Sequence, residues 1–321
     1  NTAIGYNTLG ANTTADNNVA IGSNCLKLNT TGHSNVGVGV ACLDANTTAI
    51  YNTAVGRNAL GAATTGGYNT AIGGSALDAC STGVRNVAVG YGSCTNVTTG
   101  DDNVIIGVEA GEDLTTGDDN TALGRLAGQS LTTGSNNILL GYYAGRTGSP
   151  ETVSTASNRI VLGDDNIASF KCNVSLTSSS DARDKTDVES LSMGLNFVNQ
   201  LNPVTYRWDK RSSYSKDLSI TPDGTHKKPQ LIGGLLAQDV EKIEREYDYK
   251  VEDKTNIVTQ KGEDGQYSLT YERFVPILIK AVQELSNKID ELQQDSHPPK
   301  CIEEMEGYET LINRIKELEN K

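Results

Sequence analysis

Large side chains are scarce in this sequence of 321 residues. Tryptophan occurs once, phenylalanine three times and methionine twice, and aromatic residues make up only 5 % of the chain. Of the seven prolines, Pro150 alone lies before residue 170. Because aromatic side chains supply much of the volume of an ordinary core, a core without them has to be thin and made of small aliphatic residues.

Positive charge and long apolar runs are also in short supply. Lys and Arg together number 27 against 40 Asp and Glu, which gives a net charge of −13 and a pI near 4.7. This balance argues against a nucleic-acid or anionic-membrane partner, which would need a basic face. No apolar run approaches the roughly 20 residues of a membrane span, so we expect no membrane-spanning segment.

The six cysteines lack the spacing of a metal site. They form no Cys-x-x-Cys pair, and no histidine lies at metal-ligand distance in sequence. Their scatter argues against a disulfide scaffold, and we expect most to be small buried residues. We expect no metal or other cofactor.

Glycine and charge divide the chain into two halves. Residues 1–170 hold 26 of the 33 glycines but only 6 basic and 13 acidic residues, against 21 and 27 in the rest. The chain opens on Asn1 in the middle of a pattern, so we expect it to be a piece of a longer protein.

That pattern is the pentapeptide Asn-x-x-x-Gly, which recurs at every seventeenth position. The matches are Asn1–Gly5, Asn18–Gly22, Asn35–Gly39, Asn52–Gly56, Asn69–Gly73, Asn86–Gly90, Asn103–Gly107, Asn120–Gly124 and Asn137–Gly141. Such a period is too short for a helical repeat and suits one coil of a parallel β-solenoid or β-roll. We predict two short strands and two tight turns per coil, the second strand at stretches such as Asn58–Leu60.

Stacked coils place equivalent residues in ladders about 4.8 Å apart. The asparagines should then pair amide to amide, and the Thr-Thr-Gly turns should satisfy backbone groups. Cys25 and Cys42 share one register position, where they are either two buried small residues or a ladder disulfide. Asp101-Asp102 and Asp118-Asp119 also share a register, as solvated turn pairs or as weak candidates for a cation site.

The repeat is interrupted once. The next match after Gly141 is Arg159–Gly163, a spacing of 22 where 17 was due, and the inserted stretch suggests a boundary or bulging loop at 147–157. We therefore divide the chain into a solenoid at 1–146, an interrupted last coil and linker at 147–179, and a further domain at 180–321. Because a thin coil buries little surface, several chains packing together is expected.

The pentapeptides resemble the head repeats of trimeric autotransporter adhesins. That resemblance covers roughly residues 1–145 and implies a trimeric β-roll, although the repeat of this chain is longer than the usual adhesin unit. Many viral tail-fibre sequences look similar too.

The second half begins with Ser180-Asp181-Ala182-Arg183-Asp184-Lys185 and continues through Leu201–Trp208, Ala237–Val240 and Tyr271–Leu285. In this order the motifs resemble the autoproteolytic intramolecular chaperone at the C-terminus of phage endosialidases, tail spikes and tail fibres. The resemblance implies an α+β domain that trimerises, templates folding of the upstream β-structure and then releases itself.

Carried over to this chain, the resemblance makes Ser180 the nucleophile, Lys185 the general base and Ser179–Ser180 the broken bond. It also suggests Asp181, Arg183 and Gln238 as supporting residues. Asp184 departs from the family pattern. A carboxylate at this position, if it were aimed at the lysine amine, would oppose deprotonation of the amine.

The last fifty residues have helical spacing. We predict helices at 271–295 and 300–320, separated by Pro298-Pro299. The first carries apolar residues at the 3-4-3-4-3 spacing of a coiled-coil seam, namely Val275, Leu278, Val282, Leu285, Ile289 and Leu292. The seam either packs on its own domain or joins a three-stranded bundle.

Together these patterns predict a homotrimeric, phage-like tail-fibre or spike segment located in the virion, which contacts a host-cell receptor or glycan and releases its chaperone by a single self-cleavage. Two alternatives remain open. One is a structural or adhesive surface protein that keeps its chaperone uncut. The other is a fragment of a polysaccharide-degrading spike with its catalytic domain before Asn1.

Overall fold

A computed structural model describes residues 1–146, 152–164, 166–167, 169–173, 178–214, 219–262, 265–295 and 307–319. The chain divides into two compact units. The first unit comprises 1–177, 207–230 and 262–266, and the second comprises 178–206, 231–261 and 267–321.

The first unit contains one parallel sheet of ten three-residue strands that pair in chain order. Each strand begins one repeat after the last, and the step from β9 to β10 is longer because it contains the interruption. The strands are β1 Thr2–Ile4, β2 Val19–Ile21, β3 Val36–Val38, β4 Thr53–Val55, β5 Thr70–Ile72, β6 Val87–Val89, β7 Val104–Ile106, β8 Thr121–Leu123, β9 Ile138–Leu140 and β10 Ile160–Leu162. The predicted parallel β-solenoid of 17-residue coils is confirmed. Of the loop expected at 147–157, residues 147–151 lie outside the described residues.

The prediction of a second strand in each coil is wrong. Asn58 and Leu60, one residue apart, both have left-handed backbones with φ of +57° and +52°. A strand requires extended φ throughout, so the stretch folds into successive turns. The turns still stack, because Leu60 N–H donates a 3.0 Å hydrogen bond to the carbonyl oxygen of Ala76 in the next coil.

In several coils the solenoid core balances a large residue against a small one. The middle residue of every strand from β2 to β10 is buried, and in these coils it faces a residue of complementary size across the coil. Small Ala54 is accompanied by Leu60 in one coil, whereas large Ile105 is accompanied by Gly111 in another. A Cβ atom on Gly111 would lie 3.2 Å from Ile105 Cγ2, so the glycine makes room for the larger strand residue.

Side-chain ladders join the coils as the sequence predicted. The backbone N–H of Asn86 and its side-chain Nδ2 both donate to Asn69 Oδ1, at 2.9 and 3.2 Å. Asn69 Nδ2 in turn donates to the carbonyl oxygen of Gly83 at 2.8 Å. In the turns, the Thr47 hydroxyl donates to the carbonyl oxygen of Thr64 at 3.1 Å. Each coil thus satisfies the buried polar groups of its neighbour.

The second unit is a small α+β assembly, as predicted. Its two antiparallel pairs join β11 to β12 and β13 to β14. Its elements are a 3₁₀ turn at Ala182–Asp184, α1 Leu195–Gln200, β11 Val204–Tyr206, β12 Ile232–Gly234, α2 Ala237–Glu246, β13 Thr259–Lys261, β14 Tyr267–Leu269, a 3₁₀ turn at Tyr271–Arg273, α3 Phe274–Asp295 and α4 Tyr308–Glu319. A further 3₁₀ turn, Arg211–Ser213, belongs to the first unit. Residues 296–306 and 320, part of the expected linker and second helix, lie outside the described residues.

Helix α3 has two apolar faces, of which one is covered. Phe274, Ile277 and Ala281 are buried in the core of the second unit. The six residues of the predicted seam remain 46–69 % exposed along the same helix. None of the helices in the described part of the chain is long and apolar enough to cross a bilayer.

Candidate functional site

The signature residues Ser180 and Lys185 lie in direct contact. Lys185 Nζ donates a 2.7 Å hydrogen bond to Ser180 Oγ and a 3.2 Å hydrogen bond to the carbonyl oxygen of the same serine. A serine hydroxyl and a lysine amine at this distance can exchange a proton directly. The contact brings a hydroxyl and an amine together, and Ser179 precedes Ser180 in the chain.

A single 3₁₀ turn brings the two residues together. Asp181 caps the turn by accepting a 2.9 Å hydrogen bond from the backbone N–H of Arg183. The Arg183 guanidinium also donates to both Asp181 carboxylate oxygens, at 2.5–3.1 Å. These bonds hold the pKa of the Asp181 carboxyl below its ordinary value and raise that of Arg183. Asp181 and Arg183 thus shape the turn, and neither has a hydrogen bond to Ser180 Oγ.

Asp184 makes no ion pair with Lys185 within the described residues. It is the last residue of the turn and its side chain is exposed. The lysine amine reaches the serine instead, so the neighbouring carboxylate does not occupy the proton-transfer contact.

The contact lies open to solvent in a single chain. Ser179, Ser180 and Lys185 are all exposed, and Asp181 is half-buried. Loss of water is what favours the neutral form of an amine and strengthens its action as a base. The dyad is therefore assembled in geometry but not yet shielded.

Gln238 lies in the first turn of α2 and is exposed. In the part of the chain that the structure describes, it has no hydrogen bond to Ser180 or Lys185. Its neighbour Asp239 forms a 3.0 Å ion pair with Lys242 on the same helix, so both residues belong to a polar first turn of α2.

The aspartate pairs of the solenoid bind protein groups. Asp101 and Asp118 each accept a 2.8 Å hydrogen bond from a backbone N–H one coil earlier. Asp102 forms a two-bond ion pair with Arg85 at 2.5 and 2.6 Å, which lowers the carboxyl pKa, and Asp119 lies one coil further on. Among the described residues, no group of three or more His, Cys, Asp or Glu could hold a metal ion.

The sequence analysis missed a polar contact that holds the chain just after the signature. The Glu284 carboxylate on α3 accepts a 2.7 Å hydrogen bond from the backbone N–H of Leu195. On the same helix, Lys280 Nζ donates to the carbonyl oxygen of Leu191 and lies 3.6 Å from Glu284. The signal was available, because Glu284 falls at the spacing of the buried face that contains Ile277 and Ala281.

Comparison with known proteins gives one match. Residues 180–252 match the family model described as chaperone of endosialidase. No curated protein and no solved structure matches the chain. The matched region begins at Ser180, the serine that contacts Lys185. Residues 180–252 are therefore similar to the chaperone of endosialidase, and they follow a parallel β-solenoid in the chain.

Proposed function

We propose that this chain is part of a homotrimeric tail fibre or tail spike of a phage-like virion, with a solenoid that faces a host-cell receptor or glycan. The region from Ser180 onward, called here the chaperone region, drives assembly of the solenoid and then separates by cleavage between Ser179 and Ser180. The observation that carries this proposal is the 2.7 Å contact between Ser180 Oγ and Lys185 Nζ, at the first residue of the family match.

The cleavage is a single-turnover reaction of the chain on itself. Lys185 Nζ removes the proton from Ser180 Oγ, and the oxygen attacks the carbonyl carbon of Ser179. A C–O bond forms while the Ser179–Ser180 C–N bond breaks, and the proton passes to the nitrogen of Ser180. Water then hydrolyses the ester, which leaves a carboxylate on Ser179 and restores the hydroxyl of Ser180.

Assembly is the step that would shield this site. In one chain the serine and lysine are exposed to water, and a serine hydroxyl is a poor nucleophile until a base removes its proton. Packing of three chaperone regions would remove water from the segment and favour the neutral amine. Cleavage would then follow assembly.

Two unpartnered apolar surfaces support a three-copy assembly. The first is the α3 seam, which includes Val282 and Leu292 at 65 and 69 % exposure. The second is the outward face of the solenoid sheet, whose first and third strand positions are Thr, Val, Ile or Leu in all ten strands. Its exposed members include Ile4, Ile72, Ile106, Leu123 and Leu162. This apolar face repeats at every coil. A partner that covers it along its whole length needs the same repeat, and another copy of the chain has that repeat.

The chaperone region would solve a kinetic problem. A parallel solenoid depends on pairings that are distant in sequence, and such structures nucleate slowly. Three joined helices would hold three solenoid ends at high effective concentration, so the coil next to them forms first and the others follow. Cleavage afterwards removes the template and leaves the assembled solenoid kinetically trapped.

Intact-mass measurement on the freshly expressed chain tests the cleavage. We expect two fragments, which end and begin at the predicted bond and span positions 1–179 and 180–321. Ser180→Ala and Lys185→Arg should each abolish them, because arginine keeps the charge but does not act as a base. Ser178→Ala is the matched control and should cleave as the original chain does. An intact chain after prolonged incubation contradicts self-cleavage.

Native mass measurement of the uncut Ser180→Ala chain tests the assembly. Leu285→Asp places a charge in the α3 seam and should convert trimers to monomers. Ser286→Asp places the same charge on the neighbouring exposed position and should leave the trimer intact. A monomeric Ser180→Ala chain contradicts the assembly.

The second candidate is a structural or adhesive surface protein that retains its chaperone region. The solvent exposure of Ser180 and Lys185 favours it, because an unshielded dyad is a weak catalyst. An unsubstituted chain that stays intact, together with a trimeric Ser180→Ala chain, supports this candidate and contradicts the first.

A further inference from the structure

Two buried cysteines lie directly above one another in the solenoid. Cys25 and Cys42 are one repeat apart, in coils whose strands β2 and β3 pair in register. The residue after Cys25, Leu26, donates its backbone N–H to the carbonyl oxygen of Cys42 at 2.9 Å. Both side chains are completely buried, so the two residues are equivalent members of adjacent coils.

The coil also leaves room for both sulfur atoms. The middle strand residue facing them is Gly37, where the two neighbouring coils have Ala20 and Ala54. A Cβ atom on Gly37 would lie 2.6 Å from Cys25 Sγ and 3.8 Å from Cys42 Sγ. Glycine is the only residue that fits here, and the space it leaves is filled by the thiol pair.

The two thiols are neighbours that perturb each other, which raises the pKa of Cys42 and lowers that of Cys25. The Cys42 thiol donates a 3.2 Å hydrogen bond to the carbonyl oxygen of Ala54. Cys80 and Cys94 provide a contrast, because they are also buried in neighbouring coils but occupy different register positions and therefore do not stack.

We propose that Cys25 and Cys42 are a cross-linking site at which, as the coils form and before the thiols are buried, a small-molecule disulfide oxidises the two thiols to an intrachain disulfide between the second and third coils. A thiolate of the pair attacks the oxidant, and one reduced thiol leaves. The second thiol then attacks the mixed disulfide and releases the other. Two protein thiols are oxidised, one small disulfide is reduced to two thiols, and the protein S–S bond forms.

The geometry of stacked coils suits this bond. Disulfide-linked residues have Cα atoms about 4.4–6.8 Å apart, and neighbouring strands of a sheet lie about 4.8 Å apart. The disulfide would close a loop of one coil between Cys25 and Cys42. It would restrict the unfolded chain, and it would join residues that already lie next to each other in the fold.

Mass spectrometry of the whole chain tests the proposal in two arms. In one arm the chain is expressed in an oxidising secretory compartment, and in the other the purified chain is denatured and refolded in the presence of oxidised glutathione. Free thiols are alkylated after denaturation, and trypsin is added without reductant. Lys27 and Arg57 are the only tryptic sites from Asn1 to Arg57, so the cross-link joins peptides 1–27 and 28–57.

We expect that linked pair, and two fewer alkylated thiols than in the reduced chain. Cys42→Ala should lose the pair and still fold, because Ala59 fills the same position in the next coil. Cys80→Ala should retain the pair, as the matched control. Hydrogen exchange of residues 18–51 should slow at least severalfold on oxidation.

Absence of the pair in both arms overturns the proposal. A link from Cys25 to any other cysteine, or between two copies of the chain on a non-reducing gel, also overturns it. None of these outcomes depends on cleavage at Ser180, so the test is independent of the proposed function.

Discussion

The two units of this chain reach stability in opposite ways. The solenoid repeats one local solution, and almost every buried polar group is paired with its counterpart in the adjacent coil, as Asn86 is with Asn69. The second unit uses contacts that occur once, such as Glu244, whose buried carboxylate accepts hydrogen bonds from three successive backbone amides. In the solenoid, the same pairing of buried polar groups recurs in every coil. In the second unit, one residue alone provides the partner for several buried backbone amides.

The difference also appears in how closely the backbones approach. In the solenoid, a Cβ atom on the repeated glycine would lie within about 2–3 Å of the next coil's backbone at eight successive coils, from Gly5 to Gly124. In the second unit, a Cβ atom on Gly233 would meet nothing within 4 Å. The coils are therefore closely stacked, and the smaller unit has space at its surface.

Replacing a repeat glycine should have the largest effect. Gly73 has φ of +138°, and a Cβ atom there would lie 2.3 Å from the carbonyl oxygen of Gly90. Backbone strain of about 1–3 kcal/mol would add to displacement of a coil, so we expect Gly73→Ala to prevent solenoid folding or lower its Tm sharply. Gly233→Ala is the control and should leave the Tm unchanged in calorimetry. Equal effects of the two substitutions would contradict the close stacking.

Removing one ladder asparagine should have the next largest effect. Asn69→Ala deprives the Asn86 N–H and the Gly83 carbonyl of their partners, at about 1–3 kcal/mol for each buried group left unpaired. Chemical denaturation measures this loss of free energy of unfolding. Asn96→Ala removes an exposed amide and should change it by less than about 0.5 kcal/mol. A harmless Asn69→Ala would show that the ladder is not what joins the coils.

Disturbing the unique contact should affect the second unit alone. Glu244→Gln replaces one carboxylate oxygen by an amide group that faces backbone N–H donors, and we expect a loss of about 1.5–3 kcal/mol. Hydrogen exchange should quicken at residues 257–259 and stay unchanged in the solenoid. Glu246→Gln, at the exposed end of α2, is the control. Faster exchange in the solenoid would contradict separate stabilisation of the two units.

The smallest effect should come from charge. Partial burial, and then the charge of Asp44, raise the pKa of Asp78. Its ionised form is thus disfavoured in the fold, and stability from this group grows as pH falls through the raised pKa. Asp78→Asn should raise the Tm by about a degree at neutral pH and give no gain in acid.

The control for Asp78 is Asp102, whose pKa is lowered by Arg85. Its contribution is present above the ordinary carboxyl range and is lost as pH falls through the lowered pKa. Asp102→Asn should therefore lower the Tm at neutral pH, which is the opposite sign. Shifts of the same sign in both variants would contradict these assignments.

The sequence predicted the period and strand positions of the solenoid because every coil has the same Asn in the amide ladder and the same Gly where the backbones of adjacent coils approach closely. It misplaced a second strand because residues such as Leu60 carry no mark of a left-handed backbone. The linear pattern does not reveal contacts across a coil. These contacts place large Ile105 opposite Gly111, and they place Gly37 opposite two cysteines.

In the chaperone region, the signature motif identified Ser180 and Lys185 through family resemblance, and the structure places them in contact. The structural role of Asp181 and Arg183 within the motif was not visible in the sequence. Asp181 and Arg183 bond to each other and form the turn that returns Lys185 to Ser180. Glu244 was missed because a buried carboxylate on a helix looks like any polar residue until its backbone partners are known. Glu284 is half-buried, and only its spacing from Ile277 and Ala281 marks it in the sequence.

We propose that the chaperone region is needed to form the solenoid but not to keep it. The most direct test is to denature and refold the uncut Ser180→Ala chain beside a chain that ends at Ser179, and to follow recovery of β-structure by circular dichroism. We predict that the uncut chain recovers its solenoid and the shortened chain does not. Equal recovery of the two, at equal rates, would contradict the claim.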